Sequence, residues 1–182
     1  AADPRTVAEA AALLRAGRLC AFPTETVYGL GADATDADAV LTIYETKGRP
    51  RFNPLIVHCA DLAMAETLAE FSPLARKAAS LWPGSLTLVL PAKKGNGLAD
   101  VVMAGLDSVA IRVPDHQLAL ELIAANMDGK MEMVCGAFSS DPERSKASGR
   151  DLLLPEGRCY ASFADMFAAE AKLPAGERMD FV

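Results

Sequence analysis

Residues 22–58, FPTETVYGLGADATDADAVLTIYETKGRPRFNPLIVH, constrain this chain more than any other stretch. The apolar run Leu19-Cys20-Ala21-Phe22 reads as a strand that Pro23 ends. The turn Thr24-Glu25-Thr26 then presents two hydroxyls and a carboxylate. In Tyr28-Gly29-Leu30-Gly31, two glycines stand where backbone either approaches something closely or takes φ > 0. Asp33 to Lys47 reads as a helix, with Ala39, Val40, Ile43 and Tyr44 as its apolar face. Lys47, Arg49 and Arg51 leave its C-terminal end, Pro50 and Pro54 stiffen this basic segment, and no acid intervenes between Glu45 and Asp61. Leu55-Ile56-Val57 reads as a buried strand with His58 at its end. Basic residues after a helix also complement its dipole, so the three charges alone decide nothing. Cations, an amide (Asn53), hydroxyls and an imidazole on one rigid stretch suit a small phosphate-bearing ligand.

Composition narrows the setting. The chain has 182 residues, 51% hydrophobic and 23% charged, which suits one or two small globular domains with a real core. A net charge of −6 argues against a surface broadly adapted to nucleic acid, while leaving room for one basic groove. No run of about 18 apolar residues is present, so no membrane span is expected. The opening AADPRTVAEAAALLRAG reads as an amphipathic helix, from Pro4 to Gly17, and not as a signal peptide. Cys20, Cys59, Cys135 and Cys159 are widely spaced, which predicts free thiols in a reducing, cytoplasmic setting and no metal site.

Further along, helices are expected over 61–69, 73–81 and 117–125, and strands over 85–90 and 108–113. The last strand carries Arg112, which is costly to bury unpaired. It therefore faces solvent, pairs with an acid, or awaits an anionic ligand.

Four separated motifs, PTETVYGLG, KGRPRFNPLIVH, LWPGSLTLVL and SVAIRVPDH, resemble in order and spacing the YrdC-like threonylcarbamoyl-adenylate synthases, over about residues 4–125. The resemblance implies an α/β fold: a twisted open sheet with flanking helices and a concave basic face. It implies a reaction of L-threonine, bicarbonate and ATP, carried with Mg2+, to threonylcarbamoyl-AMP and pyrophosphate. The product serves the modification of tRNA. Lys47 and Arg49 would hold the triphosphate as the catalytic pair, with Asn53 and Ser108 completing the nucleotide site. Thr26, His58 and Arg112 would hold threonine, Arg112 by a two-point pair with the carboxylate, and the resemblance favours the ligand-awaiting alternative for Arg112. The concave face would suit tRNA or double-stranded RNA.

Beyond Arg112 the family's Ser-Ala-Asn tripeptide is missing, which predicts weak turnover. Residues 127–182 instead resemble a fragment of the Gfo/Idh/MocA oxidoreductases: a strand over 131–138, Ser139-Ser140-Asp141-Pro142-Glu143-Arg144, a helix ending at Gly149, and a second helix over 163–171. The expectation is a truncated YrdC-like domain over 1–125, joined to a partial Rossmann-type strand-helix-helix segment over 126–182. Such a chimera would expose a sheet edge unless the strand at 131–138 covers it. The fragment lacks a glycine-rich phosphate loop, so dinucleotide binding by it is not expected. Two other classes stand beside the synthase: an RNA- or nucleotide-binding module without catalysis, and a recombinant with no ligand function.

Overall fold

The computed structural model describes residues 4–126, 133–137, 152–153 and 159–160. The elements run α1 (Pro4–Arg15), β1 (Cys20–Pro23), β2 (Tyr28–Asp33), α2 (Ala37–Lys47), β3 (Ile56–His58), α3 (Leu62–Leu68), α4 (Pro73–Ala79), β4 (Leu88–Pro91), α5 (Asp100–Met103), β5 (Ser108–Arg112), α6 (Gln117–Asn126), β6 (Met133–Ala137), β7 (Leu152–Leu153) and β8 (Cys159–Tyr160). Among the described residues, six strands form one sheet in the order β1-β2-β6-β3-β5-β4, and β7 pairs with β8 as a second, two-stranded ladder. Among the described residues only β3 and β5 pair in parallel; the other pairs are antiparallel. The expected mixed α/β sheet with flanking helices is present. The helix ending at Gly149, the Ser139–Arg144 loop and the helix over 163–171 lie outside the described residues.

Three local expectations are refined. Tyr28–Asp33 is a strand, and Gly29 and Gly31 are not among the glycines with positive φ. Their backbones pair on both sides, with Phe22 and Cys20 in β1 and with Ala137 and Cys135 in β6, so of the two alternatives close backbone approach is realised and φ > 0 is not. The helix expected from Asp33 starts at Ala37. Asp33 ends β2 and accepts from Thr35 N and Oγ1 at 2.9 and 2.8 Å, while Asp36 caps the helix through Asp38 N and Ala39 N. Finally, the strand expected over 131–138 does pair with the sheet, but inside it, between β2 and β3, and among the described residues the outer strands are β1 and β4.

The core explains why these elements stay together. Ala39, Val40, Ile43 and Tyr44 bury the face of α2 as its periodicity requires. Val40 and Ile43 each contribute roughly 1.5–3 kcal/mol by leaving water. Ala10, Ala11 and Leu14 of α1 and Ala119, Leu122 and Ile123 of α6 belong to the same core. Gly48 ends α2 in the left-handed conformation at φ 57°, and its N–H meets the carbonyls of Tyr44 and Glu45.

The sheet is rolled. Phe22 pairs with Gly29, which pairs with Ala137; His58 pairs with Met133, four residues away along β6. On a flat sheet that offset is about 13 Å along the strands and about 14 Å across three spacings. The Phe22 and His58 rings nevertheless meet edge-to-face with centroids 5.9 Å apart. The β1–β2 hairpin therefore curls over the sheet toward the C-terminal ends of β3 and β5.

Candidate functional site

Curling brings the hydroxyl turn onto Arg112. Within the turn, Thr24 Oγ1 donates to Val27 O at 2.6 Å and receives Val27 N at 3.1 Å, so the loop is braced by its own first hydroxyl. Glu25 and Thr26 at its tip reach Arg112, whose Nη2 donates to Glu25 Oε1 and, at 3.0 Å, to Thr26 Oγ1. Arg112 Nε donates to Gly84 O at 3.1 Å, and Asp115 N donates to Glu25 Oε2 at 3.0 Å. Of the three alternatives for Arg112, the one realised is pairing with an acid, at 8% residue exposure. Both Nη2 hydrogens are used, so the expected two-point pair with a substrate carboxylate cannot form in this arrangement. Nη1 makes no hydrogen bond among the described residues, and one-point contact remains open.

His58 lies beside Arg112 by strand register, in β3 next to β5. It is 2% exposed. Burial, reinforced by the Arg112 charge, lowers its pKa to about 4, so the ring is neutral at ordinary pH. Burial alone would raise the Glu25 carboxyl; hydrogen bonds and charge from Arg112, with the Asp115 N–H, hold it below the usual value. Thr26, His58 and Arg112, singled out from sequence, thus come together. The sequence marks Glu25 only as part of the turn. The signal that would have found it is Arg112 itself, since an arginine within an apolar strand calls for a carboxylate.

The other group gathers at the opposite ends of the same parallel strands. Ile56 pairs with Ala110, so the segment entering β3 lies at the end of the sheet where Ser108 begins β5. Arg49 Nη2 donates to Pro54 O at 2.9 Å, while Arg49 Nε is buried with no hydrogen-bond partner among the described residues. Tyr44 Oη donates toward Asn53 O and Val101 O, at 2.9 and 3.2 Å, which ties the basic segment to α2 and α5. Burial raises the Tyr44 pKa despite the opposing charge of Arg49. Arg51 makes only a long, exposed pair with Glu45 at 3.8 Å. Lys47, in the last turn of α2, begins this segment. Thus Lys47, Arg49, Asn53 and Ser108 share one end, and Thr26, His58 and Arg112 the other. Pro54 and His58 are four residues apart, about 13 Å of strand.

The Sua5_yciO_yrdC family model, described as "Telomere recombination", matches residues 12–140. The chain belongs to this family. The match runs through β6, the strand that completes the interior of the sheet. A threonylcarbamoyl-AMP synthase from Bacillus subtilis is 54% identical over 142 residues, covering 70% of this chain and 40% of that protein. A synthase of the same name from Halorhodospira halophila is 37% identical over 152 residues, covering 81% of this chain and 77% of that one. The crystal structure of Pyrococcus abyssi Sua5 complexed with L-threonine superposes with TM-score 0.65 at 45% identity, covering 71% of this chain and 37% of that chain. Escherichia coli YciO, at TM-score 0.67, 24% identity and coverage of 78% and 71%, shares the fold. The chain spans about two-fifths of the length of the Bacillus and Pyrococcus relatives.

Proposed function

We propose that this chain carries the ligand sites of a threonylcarbamoyl-AMP synthase: threonine, bicarbonate and ATP in, threonylcarbamoyl-AMP and pyrophosphate out, for tRNA modification. The observation that carries the reading is the pairing of two chemically distinct ends on one parallel strand pair. Exposed Thr26 with buried His58 and Arg112 offers a polar corner, open to water on one side, for a small amino acid. Lys47, Arg49, Asn53 and Ser108 offer cations and hydrogen-bonding groups for a nucleotide. The Pyrococcus relative's complex with L-threonine supports the amino-acid assignment.

In this reading the protein works by positioning and electrostatics. Lys47 and Arg49 neutralise the phosphates and the charge that leaves on pyrophosphate. Asn53 and Ser108 orient the nucleotide, and Thr26, neutral His58 and Arg112 orient threonine. Mg2+ would enter with the triphosphate: no carboxylate lies between Glu45 and Asp61 to build a cage for it. The missing Ser-Ala-Asn wall keeps turnover slow, because about 1 Å of misplacement costs on the order of a hundredfold. Ser139 and Ser140 are the rival substitute for that wall. The setting is read as cytoplasmic, with tRNA or double-stranded RNA as macromolecular partner. Residues 126–182 are read as a partial Rossmann-type segment fused to the synthase domain, with β6 serving the synthase sheet whatever the origin of the rest.

Titration calorimetry with ATP-Mg and with threonine, separately and together, tests the sites, and pyrophosphate release tests catalysis. Heat from neither ligand would sink the synthase reading and leave a recombinant without ligand function. Salt-sensitive RNA binding with no pyrophosphate release would favour the binding module. Turnover at about 1 s⁻¹ or faster would overturn the weak-catalysis expectation. Its loss in a Ser139→Ala, Ser140→Ala double variant would credit the substitute wall.

A further inference from the structure

Glu25 has no part in the proposed synthase chemistry, yet it is the group placed closest to Arg112. The Arg112 side chain is 10% exposed and that of Glu25 22%, on an exposed turn, so the pair opens to solvent on the Glu25 side. Oε1 accepts from Arg112 Nη2 and Oε2 accepts from Asp115 N. The Glu25 backbone N–H also reaches the carboxylate; with two acceptor directions on each oxygen, three donors leave one direction open among the described residues. Arg112 keeps Nη1 as its donor. The site therefore offers one negative and one positive group side by side, each with capacity left. Thr26 Oγ1 and the His58 ring stand next to them.

This arrangement discriminates by charge pattern. A simple anion would find much of the Arg112 field already cancelled by Glu25, and a simple cation would meet the converse. A zwitterion can lay its own dipole antiparallel to the pair and gain from both charges. An α-amino acid carries its ammonium and carboxylate on the same carbon, which suits two protein charges in direct contact. We propose that the Glu25–Arg112 pair is a receptor for the zwitterionic head of the amino-acid substrate, Glu25 holding the α-ammonium and Arg112 Nη1 the carboxylate. The receptor rests on the amino-acid reading of this site and adds the residue that sets its selectivity. Glu25 binds and orients; a carboxylate held ionised by Arg112 is a poor base, and no proton transfer is assigned to it.

The test is calorimetry on the full chain with L-threonine and with 3-hydroxybutanoate, which lacks the ammonium. It compares the parent protein with Glu25→Gln, a near-isosteric change that keeps a hydrogen-bond acceptor toward Arg112. Thermal unfolding verifies that the variant is folded, and Glu25→Asp provides a second, charge-keeping variant. In the parent, threonine is expected to bind about tenfold or more tighter than 3-hydroxybutanoate, the scale of one charge-assisted hydrogen bond. In Glu25→Gln that ratio collapses toward one, because threonine weakens while 3-hydroxybutanoate holds or tightens; Glu25→Asp retains part of the preference. Equal weakening of both ligands would overturn the proposal and reduce Glu25 to a strut for Arg112, as would an unchanged ratio. Absence of threonine binding to the parent protein would overturn the amino-acid reading itself, and the receptor with it.

Discussion

The two ends of the β3–β5 pair handle charge in opposite ways. At the C-terminal end, Arg112 is nearly buried and already matched by Glu25, and the neighbouring histidine is kept neutral. At the N-terminal end, among the described residues, Arg49 donates to a carbonyl and carries a buried nitrogen with no hydrogen-bond partner, and Arg51 has only a long solvent-exposed pair. The first end is charge-balanced and suits a ligand of no net charge. The second has positive charge in surplus and suits a polyanion. A sheet that rolls one hairpin over the C-terminal end while leaving the basic segment on a surface loop produces that contrast.

Acid should expose the charge-balanced end first. His58 is neutral in the fold, with a pKa near 4, whereas the unfolded chain's histidine takes a proton near 6.5. The unfolded state therefore binds more protons as pH falls. The stability that neutral His58 permits is intact above about pH 6.5 and lost progressively toward pH 4, by about 3 kcal/mol in all. Urea unfolding at several pH values, with His58→Gln as reference, measures this. Equal pH slopes for the two proteins would show that the imidazole is not in a dry site.

Breaking the matched pair comes next. Arg112→Ala strands the Glu25 carboxylate and should cost about 2–3 kcal/mol of stability, below the range for a fully buried pair because Glu25 keeps some water. Adding Glu25→Ala should return part of that loss. Threonine affinity should fall in Arg112→Ala, and retained affinity would remove Arg112 from the site. At the surplus end, Arg49→Ala should weaken nucleotide binding by roughly 1.5–3 kcal/mol. Nucleotide affinity should also decline with added salt more steeply than threonine affinity, since exposed charges are screened and buried ones are not. Identical salt responses would erase the distinction between the two ends. The smallest effect is expected from Tyr44→Phe, which loosens the Asn53 and Val101 carbonyls. About 1 kcal/mol of stability and a modest loss of nucleotide affinity should result, read by thermal unfolding and calorimetry.

Several features needed nothing beyond the order of residues. The apolar face of α2 follows from its three- and four-residue spacing, and the basic segment after it from Lys47, Arg49 and Arg51 between two prolines. The strands carrying His58 and Arg112 were readable because apolar runs of that length bury as strands. Local patterning also raised the question that Arg112 poses, without answering it. The answer depended on distance across the fold: Glu25 and Arg112 are 87 residues apart in sequence and meet only because the sheet rolls. The strand at Gly29 and Gly31, where the sequence left open a close backbone approach or φ > 0, likewise exists through ladders to β1 and to β6, more than a hundred residues on. Periodicity reports which face of an element leaves water, and so it locates helices and strands. Ladder partners and ion pairs are long-range choices among many compatible ones, made by packing the whole chain. That is why the sequence supplied the residues of both ends, and only the tertiary structure decided which charge meets which.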